Sequence, residues 1–142
     1  MKVSPAGVTV LAQREGERLS AYRDSRGLWT IGVGHLTNAF FKVFPGLKIT
    51  REKEMELLAH DLGEVEATIN RCVKVPMTQN QFDALASLGY NIGCGGLAGS
   101  TVVRELNAKN YIAAADAFME WHRPSVIIPR RKAERIQFLK RG

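Results

Sequence analysis

Thr50 to Pro76 constrains this chain more than any other stretch. Thr50 is placed to cap a helix in which Met55, Leu58, Leu62, Val65, Ile69 and Val73 recur every three or four residues, for more than six turns, until Pro76. A chain of 142 residues holds one domain's worth of core, not two independent ones. So long a helix in so small a protein is expected to join two lobes. The expected fold class is α+β and mainly helical, a single domain over 1–142. Its parts are a small sheet-containing lobe over 15–60, the connecting helix over 50–75, and a helical lobe over 76–142 packed with an N-terminal helix over 4–14.

Local signals fill in those parts. Ser4-Pro5 reads as an N-cap with proline at the first helical position, and Val8, Leu11 and Ala12 follow at helical spacing until Gly16. Glu15 then falls at the last turn, where the helix dipole does not stabilise a carboxylate. From Leu19 to Leu36 the pattern is extended, and Asp24-Ser25-Arg26-Gly27 reads as a turn that presents Asp24. Gly32 and Gly34 suggest close approach of backbone or ligand. The aromatic passage 38–48 is expected to supply the small lobe's core. Thr78 and Gln81 form a capping box, the glycines at 93, 95, 96 and 99 a loop, and Ser100 and Asn110 caps of the next two helices. Pro129 opens a basic helix with Ala133, Ile136 and Leu139 inward.

Composition narrows the class of protein. With 45% apolar and 24% charged residues the chain is globular, and no run reaches the about 18–20 apolar residues of a membrane span. The N-terminus lacks a secretory pattern, so synthesis in the cytosol is expected. Cys72 and Cys94 fit no metal spacing and read as buried thiols. The net charge of +6 is concentrated at the end: residues 121–142 carry seven basic side chains and one acid, whereas the first 120 carry thirteen of each. That excess suits a polyanionic partner, either nucleic acid or an anionic cell envelope, and equally a merely solvated face.

Glu15 and Asp24, held by different elements, can face each other across a groove. Glycosidic cleavage needs such a pair: a protonated acid for the leaving oxygen and a carboxylate on the other side of the sugar. Asp24 can equally be no more than its turn's own hydrogen-bonding residue. The rest of the stretch decides. Glu15-Gly16, Arg18-Leu19, Tyr22, Asp24, Gly27 and Thr30-Ile31-Gly32-Val33-Gly34-His35 resemble the motif of the phage-type lysozymes, the muramidase endolysins of glycoside hydrolase family 24. The resemblance continues in order through 81–93, 100–107, 113–121 and 129–134, and so covers nearly the whole chain.

The resemblance implies a lysozyme-like fold and hydrolysis of the β-1,4 bond between N-acetylmuramic acid and N-acetylglucosamine in bacterial peptidoglycan. Glu15 would be the general acid, Asp24 the carboxylate that helps activate water, and Thr30 the hydroxyl that positions it. Inversion at the anomeric carbon is the implied outcome. Leu36, Tyr90 and either Ser100 or Thr101 resemble saccharide contacts, Arg131 a partner of the catalytic glutamate, and His35 with Asp61 a structural ion pair. No metal and no cofactor are expected, since the leaving group needs a proton and the nucleophile is water. The expected partner is peptidoglycan, with no nucleic acid and no membrane span. A monomer is expected, made in the host cytoplasm and released to the wall through a lesion made by a separate membrane-permeabilising protein. Two alternatives stay open at this point: a lytic transglycosylase, which Asp24 and Thr30 argue against, and a nucleic-acid binder built on the basic C-terminal helix.

Overall fold

The computed structural model describes residues 1–141 and is mainly helical with one small sheet. Helices α1 (Pro5–Glu15), α2 (Arg51–Cys72), α3 (Gln79–Ile92), α4 (Cys94–Ala98), α5 (Thr101–Asn107), α6 (Tyr111–Ala117) and α7 (Ile128–Leu139) accompany strands β1 (Arg18–Arg23), β2 (Trp29–Gly32) and β3 (His35–Leu36). No helix among the described residues is long and apolar enough to cross a membrane.

The chain divides into two compact units, Thr9–Gly63 and the pair Met1–Val8 with Glu64–Gly142. Both boundaries fall inside helices, so α1 and α2 each contribute to both units. The 22 residues of α2 span about 33 Å. Thr50 Oγ1 accepts the Lys53 N–H at 3.1 Å, as a cap should. Leu58, Leu62, Val65, Ile69 and Val73 are buried, whereas Met55 is only half-buried and Glu54 takes the buried place beside it.

In the sheet-bearing unit the three strands run antiparallel in the order β1-β2-β3, with Tyr22 and Leu36 flanking Thr30. The register slips between Arg18 and Tyr22. The outer edge of β1 is covered by the segment before α2, through Ala21 N–H to Leu47 O and Ile49 N–H to Leu19 O, both 2.9 Å. Ile31, Val43 and Leu57 form its core, with Trp29, Phe41, Leu47 and Ile49 around them. The aromatic passage thus contributes Phe41, while Phe40 and Phe44 stay about half exposed. Gly32 and Gly34 take φ of +67° and +76° around the two-residue turn Val33-Gly34, so the turn explains them without a ligand.

The helical unit packs α3 against α7 and α5 against α6 around Phe82, Leu85, Leu88, Leu97, Val102, Leu106, Phe118 and Phe138. The Thr78–Gln81 capping box opens α3. Residues 94–98, expected as loop, coil into α4. Asn110 occupies the cap position of α6 but its amide goes to Glu105 Oε2 at 2.9 Å, so it does not cap. The inward face of α7 is Arg131, Glu134 and Phe138, while Ile136 is 65% exposed. The apolar periodicity of that helix pointed to the wrong face because its buried positions are occupied by an ion pair. Cys72 and Cys94 are free and half-buried.

Candidate active site

Glu15 is the last residue of α1. The chain turns out of the helix at Gly16, whose φ is +83° and whose N–H reaches Ala12 O at 2.9 Å. Glu15 there is half-buried.

Asp24 opens the turn between β1 and β2. Its Oδ1 accepts the N–H of Arg26 at 2.8 Å and of Leu28 at 2.9 Å, and its own N–H donates to Leu28 O at 2.9 Å. Gly27, at φ +78°, closes the turn. Oδ2 faces the Arg26 guanidinium at 3.7 Å, a side chain two-thirds exposed. The Leu28 backbone donor, followed by the Arg26 N–H and its charge, holds the Asp24 carboxyl below the usual range against the opposing effect of burial.

Thr30 sits at the centre of β2, 2% exposed, and its hydroxyl donates to Leu28 O at 2.9 Å. With its one proton committed, Oγ1 keeps lone pairs that can only accept. Leu28 therefore ties the two residues together: its N–H binds Asp24 and its carbonyl receives both the Asp24 N–H and the Thr30 hydroxyl. Sequence reasoning missed Leu28, because the work is done by its backbone and no side-chain pattern marks it.

His35 is 2% exposed, with Nδ1 2.8 Å from Asp61 Oδ2 on α2 and Nε2 3.3 Å from Phe41 O. Both ring nitrogens are occupied, and the ring ties β3 to α2. Leu36, opposite Thr30 on β3, is half-buried.

In the helical unit Tyr90 lies half-buried on α3 against the core. Ser100 spends its hydroxyl on the cap of α5, donating to Leu97 O at 2.7 Å and accepting the Val103 N–H at 3.2 Å. Thr101, half-buried, meets Glu120 Oε1 at 3.3 Å.

Arg131 is 1% exposed. Its Nε donates to Trp121 O at 2.9 Å, one terminal nitrogen to Glu134 Oε1 at 2.5 Å and the other to Asn91 Oδ1. Glu134, wholly buried, also accepts from Ser87 Oγ at 2.5 Å and Arg130 Nε at 3.1 Å. One carboxylate thus organises two guanidinium groups. Sequence reasoning missed Glu134, Ser87 and Asn91; the available signal was two adjacent arginines at three and four residues before a glutamate.

Comparison with known proteins places the fold and the family. The family model described as phage lysozyme matches residues 12–134. The endolysin of Salmonella phage P22 is 53% identical over 98% of this chain and 99% of its own, and that of Acyrthosiphon pisum secondary endosymbiont phage 1 is 37% identical over 97% and 98%. Among solved structures, a P22 lysozyme mutant superposes with a TM-score of 0.92 at 52% identity over 99% of both chains. An endolysin from the Escherichia coli O157:H7 phage FAHEc1 superposes with 0.94 at 35% identity, over 99% of this chain and 94% of that one. With a lysozyme fold, a family match across most of its length and relatives matched from end to end, the chain belongs to the phage lysozyme family and is a muramidase.

Proposed function

We propose that Glu15 is the general acid of this peptidoglycan hydrolase and that Asp24 and Thr30 together prepare the attacking water. The observation that carries the reading is the Leu28 clamp, which fixes an ionised carboxylate and an acceptor hydroxyl relative to one another through the backbone N–H and C=O of a single residue. Asp24 accepts the proton that the water loses as its oxygen bonds to the anomeric carbon, and its charge offsets the oxocarbenium-like transition state. Thr30 Oγ1 accepts a hydrogen bond from the water, so that the water's lone pair is aimed at the anomeric carbon. Glu15 gives its proton to the leaving oxygen. The bond cleaved is the β-1,4 link from N-acetylmuramic acid to N-acetylglucosamine, with inversion. Every step uses only these side chains and water.

Leu36, Tyr90 and Thr101 are the proposed saccharide contacts, with Ser100 supporting Thr101 through the α5 cap. Arg131, by family resemblance, is the proposed cation that stabilises Glu15 once its proton has left. The enzyme acts as a monomer, is made in the host cytoplasm and reaches the wall after a separate protein has opened the membrane. The nucleic-acid reading loses support from the basic helix itself, because Arg130 and Arg131 are committed to Glu134, and Arg135 lies 2.8 Å from Asp116.

Digestion of purified peptidoglycan followed by mass analysis of the muropeptides tests the reaction. Hydrolysis yields products one water heavier than the anhydro sugars of a transglycosylase. Glu15→Gln should lose at least about a hundredfold in rate while remaining folded. Anhydro products, or a folded Glu15→Gln protein of near-normal rate, would overturn the assignment. Proton NMR early in cleavage should show the α-anomer first; the β-anomer would mean retention and a different role for Asp24.

A further inference from the structure

Glu54 is a buried acid that the reaction does not use. It lies in the first turn of α2, 1% exposed, with both carboxylate oxygens out of water and without a hydrogen-bond partner. The backbone of β2 closes directly on it: a Cβ added at Gly32 would stand 3.2 Å from Glu54 Cγ and 3.7 Å from Ile49 Cδ1. Gly32 is two residues beyond Thr30 and leads into the turn to His35, so the acid and the strand are fitted to one another.

Two charged groups face Glu54. Glu17 comes from the segment between α1 and β1, and Arg51 comes from α2 itself, with a terminal nitrogen 3.6 Å from Glu17 Oε1. Gly32, which packs against the Glu54 side chain, carries no charge. One guanidinium therefore serves two carboxylates. With both acids ionised the corner has a net charge of −1 and no donor between the carboxylates; a proton on Glu54 balances the charge and supplies an O–H that Glu17 can accept. The dipole at this end of α2 favours the anion. It gives the buried oxygens no hydrogen bond, however. Burial pushes the Glu54 carboxyl up to about 7, Glu17 adding to the shift and Arg51 opposing it.

We propose that Glu54 is a proton-sensitive buttress of the sheet: protonated it seats Gly32 and the β2–β3 turn, and ionised it is repelled by Glu17 and loosens that corner. The sign follows from linkage. The closed corner holds the proton more tightly than an open one, in which Glu54 returns to its ordinary value of 4.5. Closing is therefore favoured in acid and weakens as pH rises toward and through about 7. None of this depends on which residues carry out catalysis.

The test uses the full chain, by carboxyl carbon NMR and amide exchange between pH 5 and 9. Glu54 should titrate near 7, and protection factors at Ile31, Gly32 and Val33, corrected for intrinsic exchange, should fall by about tenfold across that midpoint. In Glu54→Gln the fall should disappear. In Glu17→Gln, which removes the repelling carboxylate, the Glu54 midpoint should move down, a result that supports the proposal even if Glu54→Gln does not fold. A Glu54 midpoint near 4.5, an unmoved midpoint in Glu17→Gln, or equal pH dependence of protection in wild type and a folded Glu54→Gln would each overturn it.

Discussion

Gly7→Ala sets two physical effects against each other, and the structure says which wins. Gly7 lies in the first turn of α1, where helix propensity favours alanine by about 1 kcal/mol. A Cβ there would stand 2.6 Å from both Cγ and Oδ2 of Asp83 and 2.9 Å from Val3 Cγ1. Asp83 has little freedom to retreat. Its Oδ1 accepts the Ser4 N–H at 3.0 Å and the Gln79 amide at 2.8 Å, and its Oδ2 accepts the Ser4 hydroxyl at 2.5 Å. Restoring ordinary contact needs a shift of about 0.8 Å, from 2.6 to about 3.4 Å, which breaks at least one of these bonds. A hydrogen bond to a charged group is worth about 1.5–3 kcal/mol, and overpacking adds about 1–3 kcal/mol. Against the gain of about 1 kcal/mol, net destabilisation should be about 1.5–5 kcal/mol, a fall in Tm of roughly 5–15 °C. Urea titration and thermal circular dichroism measure it directly. In an Asp83→Ala background the same substitution should cost clearly less, because the Asp83 contacts are gone and only that with Val3 Cγ1 remains. A Gly7→Ala protein as stable as wild type would refute the reasoning.

Three further outcomes follow from the same geometry. Thr30→Val keeps the volume and removes only the hydroxyl; it should cost about 1 kcal/mol of stability but at least about a hundredfold in turnover, and an active folded variant would remove Thr30 from the mechanism. Arg26→Gln takes away part of what holds the Asp24 carboxyl low, so the acid limb of kcat/KM should move to higher pH while the Leu28 donor limits the change; superimposed profiles would exclude Arg26 from that role. Glu134→Gln leaves Arg130 and Arg131 buried without a counter-charge and should destabilise by about 3–5 kcal/mol in urea, a loss near zero being the result that contradicts a shared ion pair.

How much of this was legible in the sequence depended on how local the cause was. The caps at Thr50, Thr78 and Ser100 were readable because a cap is decided within four residues, and the structure places each at its helix. The long helix was readable because its apolar stripe repeats through several turns. The mainly helical part of the α+β class followed from those two signals, and its small sheet from the extended, turn-punctuated pattern over 19–36. The face of α7 was not readable. Burial statistics put arginine and glutamate outside, and only tertiary packing, with Ser87 and Asn91 brought from α3, makes Arg131 and Glu134 inexpensive to bury. Met55 lost its expected place to Glu54 for a related reason: a one-dimensional pattern cannot show that the side chain against Gly32 is an acid's methylene.

The candidate site divides along the same line. Two acids nine residues apart mean little alone, and Glu15, Asp24 and Thr30 stood out only because a glycine-rich extended segment and a whole ordered series of motifs accompanied them. What joins Asp24 to Thr30 is the backbone N–H and C=O of one residue, and any residue but proline provides both. Leu28 itself is 43% exposed, so its side chain is not what the fold needs from that position. The geometry that matters chemically is therefore set by the length and turn type of 24–28, which requires Gly27 at positive φ, and not by the identity of the residue that makes the contacts. An insertion of one residue between Gly27 and Thr30 would leave all the named side chains in the chain and separate the carboxylate from the hydroxyl. The sequence motif reads as a set of residues, but the chemistry it encodes is a distance along the backbone.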